Sequence, residues 1–122
     1  MADILVVDDD ELMIELISDP LLDEGHKVRT ALGGQEALDE IERERPDIVI
    51  LDMNMPVIDG YTVARRLRAE PVTLSLPIVA VTGHDTMADR DAAIQAGCDA
   101  FITKPVDSDR LVDRVNTLIS RQ

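Results

Sequence analysis

With 122 residues, 45% of them apolar, the chain has room for one domain, residues 1–122, and little for a second. Acidic residues outnumber basic ones 25 to 12, and the net charge of −13 argues against nucleic acid or anionic lipid as a direct partner. No apolar run approaches the ~20 residues that span a bilayer, and Met1-Ala2-Asp3-Ile4 lacks the basic and apolar regions of a signal peptide.

A single cysteine, Cys98, excludes an internal disulfide and suits a reducing cytoplasm. It reads as a small buried residue rather than a reactive one. Aromatic side chains are limited to Tyr61 and Phe101, so Leu, Ile, Val and Ala must build the core.

Ile4-Val7 reads as a first strand, followed by a helix over Leu12-Glu24 with Leu12, Met13, Leu16 and Ile17 on one face. Pro20 falls inside that helix, where it removes a backbone donor at a cost of ~3 kcal/mol. A kink there is favoured over a stop near Ser18, because Leu21 and Leu22 still need burial. Lys27-Ala31 alternates polar and apolar, as an edge strand would. Gly33-Gly34 resembles phosphate-loop material, but no nucleotide-binding pattern follows, so a turn and helix start is the better reading. Gln35-Glu44 is the second helix, with Ala37, Leu38 and Ile41 inward. Ile48-Leu51 is a continuous apolar strand of the kind buried on both faces. Tyr61-Ala69 is a helix that groups Val63, Ala64 and Leu67. Ile78-Val81 is a fourth strand, and Thr86-Ala96 a helix closed by Gly97. Ala100-Thr103 is the fifth strand. A last helix carries the stripe Leu111, Val112, Val115, Leu118 and Ile119.

This (βα)₅ alternation predicts a flavodoxin-like, doubly wound α/β fold, with a five-stranded parallel sheet in the order 2-1-3-4-5. The crevice of such a sheet opens at the C-terminal ends of strands one and three, where the crossover direction reverses. Asp8-Asp9-Asp10 follow strand one, Asp52 follows strand three, Thr82 strand four and Lys104 strand five. Each has an ordinary alternative. Asp8, Asp9 and Asp10 could be solvated loop residues and a helix N-cap, and for Asp10 the cap remains favoured. Asp52 could be a turn residue, Thr82 a strand end, and Lys104 a surface lysine. The coincidence of four complementary residue types at four same-side strand ends raises the functional reading. Carboxylates brought this close need protons or a shared cation, and oxygen-only ligands point to a hard ion such as Mg²⁺.

Val6-Val7-Asp8-Asp9-Asp10, Leu51-Asp52-Met53-Asn54-Met55-Pro56-Val57-Ile58-Asp59-Gly60, Val81-Thr82-Gly83 and Phe101-Ile102-Thr103-Lys104-Pro105 resemble the receiver domains of two-component response regulators, over residues 3 to 120. The resemblance implies that Asp52 is the phosphorylated aspartate. It implies that Asp8, Asp9, Asp52 and the Asn54 backbone carbonyl hold Mg²⁺ (or Mn²⁺). Lys104 would pair with the phosphoryl group and Thr82 would hydrogen-bond it, with Gly83 offering little resistance to that movement. The Lys104-Pro105 bond is similar to one the family holds cis. Phe101 stands where many relatives carry tyrosine, and would turn inward once Thr82 shifts. Asn54 and His84 occupy positions that tune dephosphorylation in the family.

The implied partners are a sensor histidine kinase or phosphotransfer protein and a downstream protein target, the latter meeting the face of helix four, strand five and helix five. The implied activity is that of a phosphoacceptor switch, not of an enzyme acting on an outside metabolite. Two other classes compete. A haloacid-dehalogenase-type phosphatase would need a general acid two residues after its nucleophile, and Asn54 donates a proton poorly. A pseudo-receiver serving only as an interaction module would be favoured by an incomplete acidic site, whereas the site here reads as complete. The residues Ala96-Gly97-Cys98-Asp99-Ala100-Phe101-Ile102-Thr103-Lys104-Pro105 lean toward receivers of hybrid kinases and phosphorelays.

Overall fold

The computed structural model describes residues 1–121. Five strands, β1 (Asp3–Val7), β2 (Lys27–Ala31), β3 (Ile48–Asp52), β4 (Ile78–Thr82) and β5 (Ala100–Thr103), form one parallel sheet in the order β2-β1-β3-β4-β5. Helices α1 (Glu11–Asp23), α2 (Gly34–Arg43), α3 (Gly60–Arg68), α4 (Met87–Ala96) and α5 (Ser108–Ile119) alternate with them, and a short 3₁₀ turn spans Pro71–Thr73.

The period-two alternation of each central strand sorts its side chains into two cores. Ile4, Val6, Ile48, Ile50, Val79 and Val81 face a cluster closed by Ile14, Ile17 and Leu21 of α1 and Leu111, Val115 and Leu118 of α5. Leu5, Val7, Val49, Leu51, Ile78 and Ala80 face the opposite cluster, closed by α2, α3 and α4. Strands β3 and β4 are buried at every residue. Edge strand β2 is fully buried only at Ala31. Its Arg29 forms ion pairs with Asp3 and Glu40, tying the edge to β1 and α2.

Helix α1 departs from the sequence reading. Its buried residues are Ile14, Ile17, Ser18 and Leu21, whereas Leu12 and Leu16 are 62% and 53% exposed. Leu22 is also on the outside. The helix carries two apolar stripes, and the sheet takes the one at i, i+3, i+7 from Ile14. The helix runs unbroken through Pro20, so it does not stop near Ser18.

Side chains of Asp10, Asp59, Thr86 and Asp107 cap the N-termini of α1, α3, α4 and α5. Each oxygen accepts an N–H that the helix cannot satisfy internally. Gly33 and Gly34 form the turn and start of α2, as read from the sequence. Gly97 ends α4 with φ 107°, a conformation that suits glycine. No helix among the described residues is long and apolar enough to cross a membrane.

Candidate functional site

The strand ends bring the acidic residues together. Carboxylate oxygens of Asp8, Asp9 and Asp52 lie within 4.8 Å of one another. Asp8 and Asp52 are buried, Asp9 is exposed, and Asp10 turns away to cap α1. The first turn of the loop is held from within, because Asp8 Oδ1 accepts the Asp10 N–H at 2.9 Å. Asp52 Oδ1 likewise accepts the Asn54 N–H at 3.1 Å.

Gly60 seats the opposite wall. Its N–H donates to the Met53 carbonyl at 3.1 Å, and a Cβ there would collide with the Asp52 carbonyl and with Met53. The N-terminus of α3 can therefore rest directly on the end of β3 only without a side chain at this position.

Lys104 enters from the end of β5. Its Nζ lies 3.3 Å from Asp8 Oδ2 and 3.6 Å from Asp52 Oδ1, and the Lys104-Pro105 peptide is cis. One ammonium faces three carboxylates. Burial pushes the Asp52 carboxyl above its ordinary range, Asp8 and Asp9 push it further, and the Asn54 N–H and Lys104 oppose the rise. Asp8 Oδ2 is buried with no hydrogen bond among the described residues. An oxygen-only donor set with surplus negative charge, two of its three carboxylates buried, fits a hard divalent cation, Mg²⁺ or Mn²⁺.

Thr82 ends β4 and is fully buried. Its Oγ1 accepts the Asn54 Nδ2–H at 2.8 Å and the His84 N–H at 3.1 Å. The His84 side chain is exposed, as is Gly83, where a Cβ would meet nothing within 4 Å. Phe101 is half-buried on β5 and packs against the α2–α3–α4 core.

Sequence reasoning brought Asp8, Asp9, Asp52, Lys104 and Thr82 to one mouth, and the structure places them there. It did not find Arg90, whose guanidinium covers the Phe101 ring, nor the bond between the Asn54 carboxamide and Thr82. Neither follows from strand-end positions, since both side chains reach across from a loop or helix.

A doubly wound sheet with clustered carboxylates at its switch point defines the class of protein to which known proteins can be compared. The family model for the response regulator receiver domain matches residues 4–116. The response regulator PleD of Caulobacter vibrioides is 42% identical over 117 residues, which are 96% of this chain and 26% of that protein. The response regulator MprA of Mycolicibacterium vanbaalenii is 41% identical over 118 residues, 97% of this chain and 50% of that protein. The signal receiver domain of a signal transduction histidine kinase from Syntrophus aciditrophicus superposes with a TM-score of 0.91 at 31% identity, covering 98% of this chain and 91% of that one.

The chain belongs to the response regulator receiver domain family of two-component signalling, a family of phosphoacceptor switches. It spans about a quarter of PleD (26%) and half of MprA (50%).

Proposed function

We propose that residues 1–122 act as one receiver unit whose Asp52 accepts a phosphoryl group from a phosphohistidine, carried by a sensor histidine kinase or a phosphotransfer protein. The observation that carries this reading is the convergence of Asp8, Asp9 and Asp52 within 4.8 Å, with Lys104 Nζ against two of them.

A carboxylate oxygen of Asp52 attacks phosphorus, the bond from phosphorus to the donor's imidazole nitrogen breaks, and the electron pair leaves on that nitrogen. Bound at Asp8, Asp9, Asp52 and the Asn54 backbone carbonyl, Mg²⁺ or Mn²⁺ would supply charge neutralisation for the transferring group. Lys104 keeps a positive charge beside the acceptor before and after transfer. Thr82 offers its hydroxyl proton to a phosphoryl oxygen. Water later cleaves the acyl phosphate, so the domain catalyses only its own loading and resetting. Asn54 and the exposed His84 stand at the mouth, where they would tune that lifetime.

Apolar surface supports the partner reading. Leu12 and Leu16 are exposed on α1 beside the acidic loop, where a phosphodonor must approach. Met87 and Ile94 of α4 are 81% and 65% exposed, on the α4–β5–α5 face assigned to a downstream protein target. A cytoplasmic setting agrees with a lone thiol, Cys98, whose pKa burial pushes up to about 12, so that it is inert rather than disulfide-forming.

Incubation with acetyl phosphate and Mg²⁺ should raise the intact mass by one phosphoryl group, and Asp52→Asn should abolish the gain. Labelling that survives in Asp52→Asn would overturn the assignment.

A further inference from the structure

We propose that the Asn54 carboxamide is a positioning residue that primes the Thr82 hydroxyl, by donating into its oxygen, to donate its proton to an oxyanion held on Asp52. The inference rests on the reading of Asp52 as the phosphoacceptor.

A hydroxyl has one proton and two acceptor lone pairs. Both acceptor positions of Thr82 Oγ1 are taken, by the Asn54 Nδ2–H at 2.8 Å and the His84 N–H at 3.1 Å. The remaining proton donates to no group among the described residues, although Thr82 is fully buried. A buried donor left unspent is costly unless an acceptor arrives. Asn54 also fixes where that acceptor would be, because its backbone N–H holds Asp52 Oδ1 at 3.1 Å while its side chain holds Thr82. One residue thus spans the acceptor carboxylate and the hydroxyl.

Two consequences follow. With both lone pairs filled, the hydroxyl cannot rotate its proton away from the mouth without breaking a bond. Donation into the oxygen also polarises the O–H, which strengthens its own donation. The His84 half of the arrangement comes from the backbone and is present whatever the side chain. Specificity for this chain therefore lies in the carboxamide of Asn54.

The test is a double-mutant cycle read by beryllofluoride, in the presence of Mg²⁺, as the stand-in for the phosphoryl group. In the Thr82 protein, Asn54→Ala should weaken beryllofluoride affinity about three- to ten-fold, the worth of one hydrogen bond. In the Thr82→Val background, which keeps the branched shape and removes the hydroxyl, the same Asn54→Ala change should have no effect. The Thr82→Ser background restores a hydroxyl and should restore the effect. Equal weakening in the Thr82 and Thr82→Val backgrounds would mean that Asn54 touches the anion itself, and would overturn the priming role. So would an unchanged affinity in Asn54→Ala. Failure of the unsubstituted protein to bind beryllofluoride would instead overturn the phosphoacceptor reading, and the inference with it.

Discussion

The guanidinium of Arg90 lies over the Phe101 ring, 5.2 Å from its centroid. Asp85 holds it there, through Nε at 2.7 Å and Nη2 at 2.6 Å on one carboxylate oxygen. Loop β4–α4, helix α4 and strand β5 are thereby joined at the residue proposed to turn inward on phosphorylation. A cation on an exposed ring face contributes ~0.5–1 kcal/mol, and a half-exposed ion pair little more.

Arg90 favours the ring position in which its π-face is available. Arg90→Ala should therefore shift the ring population toward the beryllofluoride-bound position by up to about five-fold. Phe101 is the sole phenylalanine, so fluorinated phenylalanine gives a single fluorine NMR signal for this measurement. A resonance that does not move in Arg90→Ala would remove Arg90 from the switch. A resonance unmoved by beryllofluoride in the unsubstituted protein would remove Phe101 as well.

Asp52 makes the metal-free fold pH-dependent. Burial, then Asp8 and Asp9, hold its carboxyl above the ordinary range in the folded state. A raised folded pKa means that stability is greatest while the group is protonated, below its unfolded pKa. That contribution is lost as pH rises through the folded value. Asp52→Asn should accordingly raise the metal-free Tm at pH 7 and leave a smaller difference near pH 4. Added Mg²⁺ should narrow the gap at pH 7 by stabilising the unsubstituted protein. An equal effect of the substitution at both pH values would contradict the charge argument.

Ser18 is an inexpensive position to improve. Its Oγ is buried on the sheet side of α1 with no hydrogen bond among the described residues. Ser18→Ala removes an unsatisfied hydroxyl and raises helix propensity, so stability should increase by ~1–2 kcal/mol. Urea unfolding should show a higher midpoint at unchanged slope. A lower midpoint would mean that the hydroxyl is satisfied by water.

Val57 sits in the β3–α3 loop with φ 67° and a fully exposed side chain. A β-branched residue in the left-handed region costs roughly 1–2 kcal/mol, and no packing offsets it here. Val57→Asn should return ~1 kcal/mol in the same unfolding assay, since asparagine tolerates that conformation. No gain would imply that the loop relaxes the strain in solution.

How far the sequence is legible differs between strands, helices and site. Strands β3 and β4 are continuous apolar runs, and burial on both faces permits little else. Their ends then locate the carboxylates, because topology alone carries Asp8 and Asp52 to the same crevice. Helix α1 was not legible. Apolar residues at 12, 13, 14, 16, 17, 21 and 22 support two stripes, and periodicity cannot choose between Leu12-Leu16 and Ile14-Ile17-Leu21. Only docking against β1, β2 and α5 selects the second. The contacts of Asn54 with Thr82 and of Arg90 with Phe101 were hidden for a different reason. They join residues 28 and 11 positions apart through side-chain reach, which no spacing rule encodes.

The central claim is that the phosphoryl group resides on the carboxylate of Asp52. An acyl phosphate is reduced by borohydride, whereas a phosphate ester or phosphohistidine is not, so borohydride treatment of the loaded protein converts a phosphorylated aspartate to homoserine. After loading from a phosphohistidine donor in Mg²⁺, peptide mass spectrometry should find homoserine at position 52 and unmodified aspartate at positions 8, 9 and 10. Homoserine at Asp8 or Asp9 with Asp52 intact, or phosphate retained on Thr82 or His84, would contradict the account.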